Sequence, residues 1–374
     1  MTDKQKEILC SLALSHIPGI GLISARTLFD VFGNASEIFE RREELLHHLQ
    51  PSSRKFIKML ENTHVFERAK RELEFAGKNG IECISLGDKR YPSRLRECQD
   101  APLVLFFKGK ADLNALRMVS LVGTRNATEY GRELCDRFVS RLHELCPEVV
   151  VVSGLAYGID IAAHRAALAA QIPTIGVLAH GLDRIYPAVH RKTAVEMLEN
   201  GGLLTEYMSQ TNPDRQNFVQ RNRIVAGLCD ATIVVESAAK GGALITAGLA
   251  ESYHRDCFAF PGRVGDSYSQ GCNQLVRDNK AAMILNADDF VKAMGWDGNN
   301  ESQRPQAIQR QLFVELTEEE ERLMSILNAQ PQGIQINALV VEADIPINRI
   351  NALLFELEMK GLVKALTGGV YKAV

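Results

Sequence analysis

The chain has 374 residues, is 46% hydrophobic and 24% charged, and carries a formal net charge of −3. Its length predicts two or three domains, and its composition excludes large-scale disorder. The charge balance excludes a surface coated in positive residues, so any nucleic-acid site has to be a local basic groove. The eight cysteines (Cys10, Cys83, Cys98, Cys135, Cys146, Cys229, Cys257 and Cys272) include no C-x-x-C pair. That scatter reads as buried or idle thiols of a reducing compartment, not as a disulfide frame or a zinc site. The opening Met-Thr-Asp-Lys-Gln-Lys-Glu lacks the apolar stretch of a signal peptide, and no run approaches a membrane span. A cytoplasmic protein is expected.

Residues 1–85 are expected to form a helical domain. Ile8, Leu9, Leu12 and Ala13, then Ile23, Leu28, Phe29 and Phe32, recur at helical spacing. Between the two helices, Pro18-Gly19-Ile20-Gly21 is a tight turn resembling a helix-hairpin-helix (SAM-like) module, which either offers N–H groups to DNA phosphates or is purely structural. The charged stretch from Arg41 to Lys78 continues as amphipathic helix. Across 86–296, short apolar runs at 117–122, 149–153, 174–178, 231–236 and 257–260 alternate with helices near 128–145, 159–171, 190–200 and 243–255. A fully apolar run such as Val149-Val150-Val151-Val152 suits a strand covered on both faces of a parallel sheet. The alternation predicts an α/β, Rossmann-like doubly wound domain. Residues 297–312 read as a polar linker. Within 313–374, helices over 317–329 (opened by Thr317 with Glu320 in a capping box), 334–343 and 346–361 precede a hairpin broken by Gly368-Gly369, which predicts a winged helix.

Three strand ends share one design. They run into Gly123-Thr124-Arg125-Asn126, into Ser153-Gly154-Leu155-Ala156-Tyr157-Gly158, and into Ser237-Ala238-Ala239-Lys240-Gly241-Gly242. Glycine lets a ligand approach the backbone, and the following helix aims unpaired N–H groups at an anion. The plainer alternative is three tight turns. Neither Gly-x-Gly-x-x-Gly nor a Walker A is present, so no cofactor is expected.

The segment Arg215-Gln216-Asn217-Phe218-Val219-Gln220-Arg221-Asn222-Arg223 sets arginines and amides around one aromatic, read as a short stretch ahead of a helix. Arginine grips phosphate and an exposed ring stacks a base, a pairing that suits single-stranded nucleic acid. The competing reading makes Phe218 core and the arginines a solvated face. Asp160 and His164, four apart, are either an acid–base or metal pair or a helix cap and its neighbour. His180 and His190, flanking Asp183 and Tyr186-Pro187, are equally open. In the winged helix, the candidate reading helix carries Arg349 and Lys360 against Glu356 and Glu358, and the preceding helix opens with Glu318-Glu319-Glu320-Glu321. That charge pattern favours a protein contact or regulation over DNA reading.

The ordered set Tyr91-Pro92, Pro102 through Gly109, Val122-Gly123-Thr124-Arg125 with Tyr130-Gly131, Ser153 through Asp160 with His164, Gly181-Leu182-Asp183, Phe218 with Arg221-Asn222-Arg223-Ile224, Gly242-x-Leu244-Ile245-Thr246-Ala247, Pro261-Gly262 and Gly271-x-Asn273 resembles the bacterial DNA-processing protein A family (DprA, also Smf) of natural transformation. The resemblance implies a helical domain, an extended Rossmann fold and a winged helix. It also implies a homodimer that binds single-stranded DNA and helps place RecA recombinase on DNA held by single-strand-binding protein, with no enzymatic step. On it, Arg125 matches the family's DNA-contacting arginine, and Phe218, Arg221 and Arg223 its aromatic-plus-arginine segment. Gly123, Gly154, Gly158, Gly241 and Gly242 match its glycine loops. With them, Thr124, Asn217, Asn222 and Lys240 complete the expected DNA-binding set. Two departures stand out: Thr124 replaces a serine, and Gly241-Gly242-Ala243 lacks the hydroxyls of the usual Ser-Gly-Ser/Thr. The rival is a nucleotide phosphoribohydrolase, whose Pro-Gly-Gly-x-Gly-Thr-x-x-Glu motif would register Gly248 at the catalytic glutamate, with Glu251 a poor substitute.

Overall fold

The computed structural model describes residues 2–41, 60, 64–297, 316–330, 333–360, 362–366 and 370–373. They fall into two compact units, Met1–Gly298 and Asn299–Val374. The first starts with helices α1 (Asp3–Ser15), α2 (Leu22–Phe32), α3 (Ala35–Glu40) and α4 (His64–Lys78). Gly19 holds φ +92° in the turn between α1 and α2, which explains its presence there. Much of the helix expected from Arg41 to Lys78 lies outside the described residues. So does most of the linker expected over 297–312.

The rest of the unit is β1 (Glu82–Ser85), α5 (Ser93–Arg96), β2 (Val104–Gly109), β3 (Arg117–Val122), α6 (Glu129–Leu145), β4 (Val149–Ser153), α7 (Ile159–Ala169), β5 (Thr174–Val177), α8 (Arg191–Met197), β6 (Gly202–Thr205), α9 (Arg215–Leu228), β7 (Ala231–Val234), α10 (Gly242–Ser252), β8 (Asp256–Ala259), α11 (Gln270–Arg277), β9 (Ala282–Met283) and α12 (Ala287–Ala293). Its nine strands lie in the order β1-β2-β6-β5-β4-β3-β7-β8-β9. From β6 to β9 all neighbours are parallel. To the parallel sheet expected from the sequence the structure adds an antiparallel edge: β2 runs antiparallel to β6 and β1 antiparallel to β2. Strand β1 belongs to this sheet although it precedes residue 86.

The alternation of side chains explains why β4 is apolar throughout. Val149 and Val151 enter the core formed with Leu134 and Phe138 of α6, Ala163 of α7 and Phe290 of α12. Val150 and Val152 enter the opposite core, with Ile224 and Leu228 of α9, Ala247 of α10 and Leu12 of α1. Both faces are therefore covered, as a doubly wound fold requires. The N-terminal helices are fixed to the sheet by a buried polar lock. Glu72 of α4 accepts the Ser209 N–H at 2.8 Å and the Ser209 hydroxyl at 2.6 Å, while Arg68 donates to the Ser209 carbonyl.

The second unit has α13 (Glu318–Ala329), β10 (Ile334–Gln335), α14 (Ile336–Ala343), α15 (Ile347–Met359), β11 (Val363–Leu366) and β12 (Val370–Ala373). Its sheet order is β10-β12-β11. Three helices and a small antiparallel sheet make a winged helix, and Thr317 with Glu320 forms the expected capping box. Among the described residues, no helix is long and apolar enough to cross a membrane.

Candidate nucleic-acid interface

Strand β3 is followed in the sheet by β4 on one side, whereas β7 and β8 continue on the other. The order of travel therefore reverses between β3 and β7, and the crevice outside their carboxyl ends is where open α/β sheets hold ligands. A cleft of ≈ 410 Å³ lies there. Gly123, Thr124 and Arg125 line it from the β3 loop, Gly154 from the β4 loop, and Lys240, Gly241 and Gly242 from the β7 loop. Helix α9 adds Phe218, Arg221 and Asn222. Neither Gly158 before α7 nor Gly241 before α10 provides a side-chain cap. The first N–H groups of α10 start at the lining residue Gly242 and carry the positive end of the helix dipole.

Two glycines are required by close approach. At Gly158, with φ +79°, a Cβ would fall 2.1 Å from the Thr124 carbonyl oxygen. At Gly154 a Cβ would fall 2.2 Å from Nη1 of Arg221. The Arg221 guanidinium thus lies flat beneath the β4 loop, where it donates to the carbonyls of Gly154 and Val177. Arg221 is only 3% exposed, and its Nε is buried without a partner. Among the described residues no carboxylate lies within ion-pair distance of it. Burial pushes the Arg221 pKa down, Asp160 opposes that shift, and Arg125 adds to it. Burial likewise holds Asp160 above the usual carboxylate range, against the pull of Arg221. The floor of the cleft is therefore a cation without a full counter-charge, which an incoming anion stabilises.

Above the floor, Arg125 is exposed and its guanidinium stands 5.0 Å from the centroid of the half-buried Phe218 ring. Arg221 reaches the same ring at 5.9 Å. Tyr186, 46% exposed, sets its ring 6.0 Å from Phe218. Two cations thus lie against one aromatic ring that lines the cleft, with a second ring beside it, a combination suited to phosphates and stacked bases.

Three of the residues expected at the site do not line it. Gly158 serves the packing of the β3 loop. Asn217 donates to the Asn212 carbonyl, and its own carbonyl accepts from the Tyr207 hydroxyl. Arg223 is buried, paired with Glu206 and donating to the Asp100 carbonyl at 2.6 Å. The cause is a secondary-structure correction: residues 215–224 are not a stretch ahead of a helix but the first turns of α9 itself. Residues two apart on a helix point to nearly opposite faces, so Arg221 and Arg223 cannot share a groove.

Arg215, Asp160 and Thr246, absent from the DNA-binding set expected from the sequence, also line the cleft. A helical reading of 215–228 would have put Arg215, Phe218 and Arg221 on one face at i, i+3 spacing. The ambiguous histidines resolve as structural. His164 Nδ1 bonds the Thr174 hydroxyl, His180 Nδ1 the Gly181 carbonyl and His190 Nδ1 the Leu155 carbonyl. Among the described residues no group of three or more His, Cys, Asp or Glu side chains could hold a metal ion. In the second unit, Arg349 of α15 and its C-cap Lys360 are already paired, Arg349 with Glu319 and Lys360 with Glu320.

The family model for DNA recombination-mediator protein A matches residues 82–295. The chain belongs to that family. A second model, the DprA winged helix domain, matches residues 309–369. Among curated members of the recombination-mediator family, the chain is 39% identical over 252 residues to the putative DNA processing protein DprA of Mycobacterium tuberculosis, a match spanning 64% of each chain. It is 37% identical to the DprA of Bacillus subtilis over 61% of this chain and 76% of that one. The X-ray structure of Streptococcus pneumoniae DprA superposes with a TM-score of 0.61 at 32% identity, covering 78% of this chain and 98% of that one. Helicobacter pylori DprA, a structure described for its single-stranded DNA binding mode, superposes with a TM-score of 0.52 at 30% identity, covering 58% and 96%.

Proposed function

We propose that this chain binds single-stranded DNA in the strand-end cleft as a recombination mediator. In this reading Gly123, Thr124, Arg125, Gly154, Lys240, Gly241 and Gly242 hold phosphates over the Arg221 floor, and Phe218 stacks a base. The observation that carries the proposal is the buried, under-compensated Arg221 beneath two glycine loops, with Arg125 and the Phe218 ring above it. Bases of a single strand are free to reach that ring, whereas paired bases are not. The described H. pylori relative supports the same ligand. The proposal extends, as the resemblance implies, to a cytoplasmic homodimer that takes incoming transforming DNA held by single-strand-binding protein and helps load RecA.

The phosphoribohydrolase reading gains nothing from the site. Gly248 stands where that motif needs its glutamate, and Glu251 is exposed and does not line the cleft. Fluorescence anisotropy with labelled oligo-dT and a matched duplex, each at two salt concentrations, tests the proposal. Salt-sensitive preference for the single strand is expected, and equal or absent binding would reject it.

A further inference from the structure

Arg125 sits on an arch, residues 124–128, that joins the end of β3 to the start of α6. One residue of another strand end holds both feet of that arch. The Glu236 main-chain oxygen accepts the Thr124 N–H at 2.8 Å. The Glu236 carboxylate takes the other foot, accepting the Thr128 N–H at 2.9 Å on Oε2 and the Thr128 hydroxyl on Oε1. Thr128 is the N-cap of α6, and its Oγ1 accepts the Gly131 N–H at 3.1 Å. The carboxylate therefore lies at the positive end of a helix dipole, a favourable place for an anion. Room for it depends on Gly131, where a Cβ would fall 2.2 Å from Oε2. Glu236 is 5% exposed and does not line the cleft. Three further bonds brace the arch: the Ile159 N–H donates to the Thr124 carbonyl, Arg132 donates to the Ala127 carbonyl, and within the arch the Asn126 N–H donates to the Thr124 hydroxyl.

We propose that Glu236 is a positioning residue for DNA binding: its carboxylate fixes the arch that presents Arg125 beside the Phe218 ring, without itself touching the strand. This rests on the reading of the cleft as a single-stranded DNA site. The physical content is a population. When the carboxylate is lost, the Thr128 foot is released and the arch samples shapes in which Arg125 no longer faces the cleft. If about a third to a tenth of molecules keep the competent shape, the apparent affinity falls about three- to tenfold. The loss has a ceiling, because misplacing Arg125 cannot cost more than removing it.

The experiment is a double-variant cycle on the full chain, with labelled oligo-dT as probe. Glu236→Ala should weaken binding and flatten its salt dependence, as Arg125→Ala does, while the Glu236→Ala/Arg125→Ala pair should bind no worse than Arg125→Ala alone. Combined with Arg215→Ala, another cation lining the cleft, the Glu236→Ala loss should instead multiply in full. A merely structural role would multiply in both backgrounds, and that result overturns the proposal, as does unchanged binding by Glu236→Ala. Should Glu236→Ala fail to fold, Thr128→Val removes the hydroxyl donor and decides the same cycle. Hydrogen exchange of residues 123–128 gives a readout that needs no DNA. Faster exchange in the variant is expected, and unchanged exchange overturns the positioning role even if the chain proves not to bind DNA. Absent binding by the wild type, by contrast, would reject the cleft reading itself.

Discussion

Removing Arg125 should change how binding responds to salt, and the structure sets the size of that change. Four cations line the cleft: Arg125, Arg215, Arg221 and Lys240. If each neutralises one phosphate of a single strand, the slope of log affinity against log salt is roughly −0.7 × 4, or about −2.8. Raising salt fourfold, from about 50 to about 200 mM, then weakens wild-type binding roughly fiftyfold. Arg125→Ala leaves three cations and a slope of about −2.1, so the same change costs roughly twentyfold. Phe218→Ala should act differently. It removes stacking worth about 1–3 kcal/mol, a drop of at least about fivefold, and leaves the slope near its wild-type value. Anisotropy titrations of labelled oligo-dT across that salt range measure both quantities. A slope unchanged by Arg125→Ala, or flattened equally by Phe218→Ala, would refute the division of labour between phosphate and base.

The buried groups around the cleft give three further tests. Gly154→Ala drives a methyl into the Arg221 guanidinium, so thermal melting should show a loss of about 1–3 kcal/mol, and oligo-dT affinity should fall with it; unaltered stability and binding would disprove the close packing. Arg223→Met strips the buried Glu206 of its cation and should destabilise the fold by about 3–5 kcal/mol. The folded fraction should keep wild-type affinity, and a weakened affinity would return Arg223 to the DNA site. Burial, with Arg221 and His190 nearby, pushes His164 from 6.5 down to about 3. The unfolded chain therefore binds the extra proton first, so stability is fully present above about pH 6.5 and falls by roughly 1.4 kcal/mol per unit towards pH 3. Urea midpoints at pH 7 and 5 should show a steeper loss for wild type than for His164→Leu, and equal losses would contradict a neutral buried imidazole.

The sequence made most of the central sheet legible, because β3, β4, β5, β7 and β8 are apolar enough to mark strands covered on both sides. Strands β1, β6 and β9 were not, since each holds at most two adjacent apolar residues, too short a run to stand out from turns. The three glycine loops were found because glycine before a helix is a local signal, and the structure brings them to one sheet edge. The individual roles of the arginines were not legible in the same way. Arg215 through Arg223 look like one basic run, and only the helical phase separates Arg221, under the Gly154 loop, from Arg223, sunk against Glu206. Asp160 and Glu236 were hidden for a related reason: each acts through residues far away in the chain, Arg221 for one and Thr128 for the other.

The margins of the large sheet also matter if the proposed binding sets several copies on one DNA strand. Among the described residues β1 and β9 form the unpaired borders of that sheet, and β9 offers just Ala282 and Met283. Two residues expose too few free backbone donors and acceptors to template a strand from a neighbouring molecule. Under the proposed binding, a high local concentration of copies on one strand would then not invite sheet-to-sheet fusion along that border.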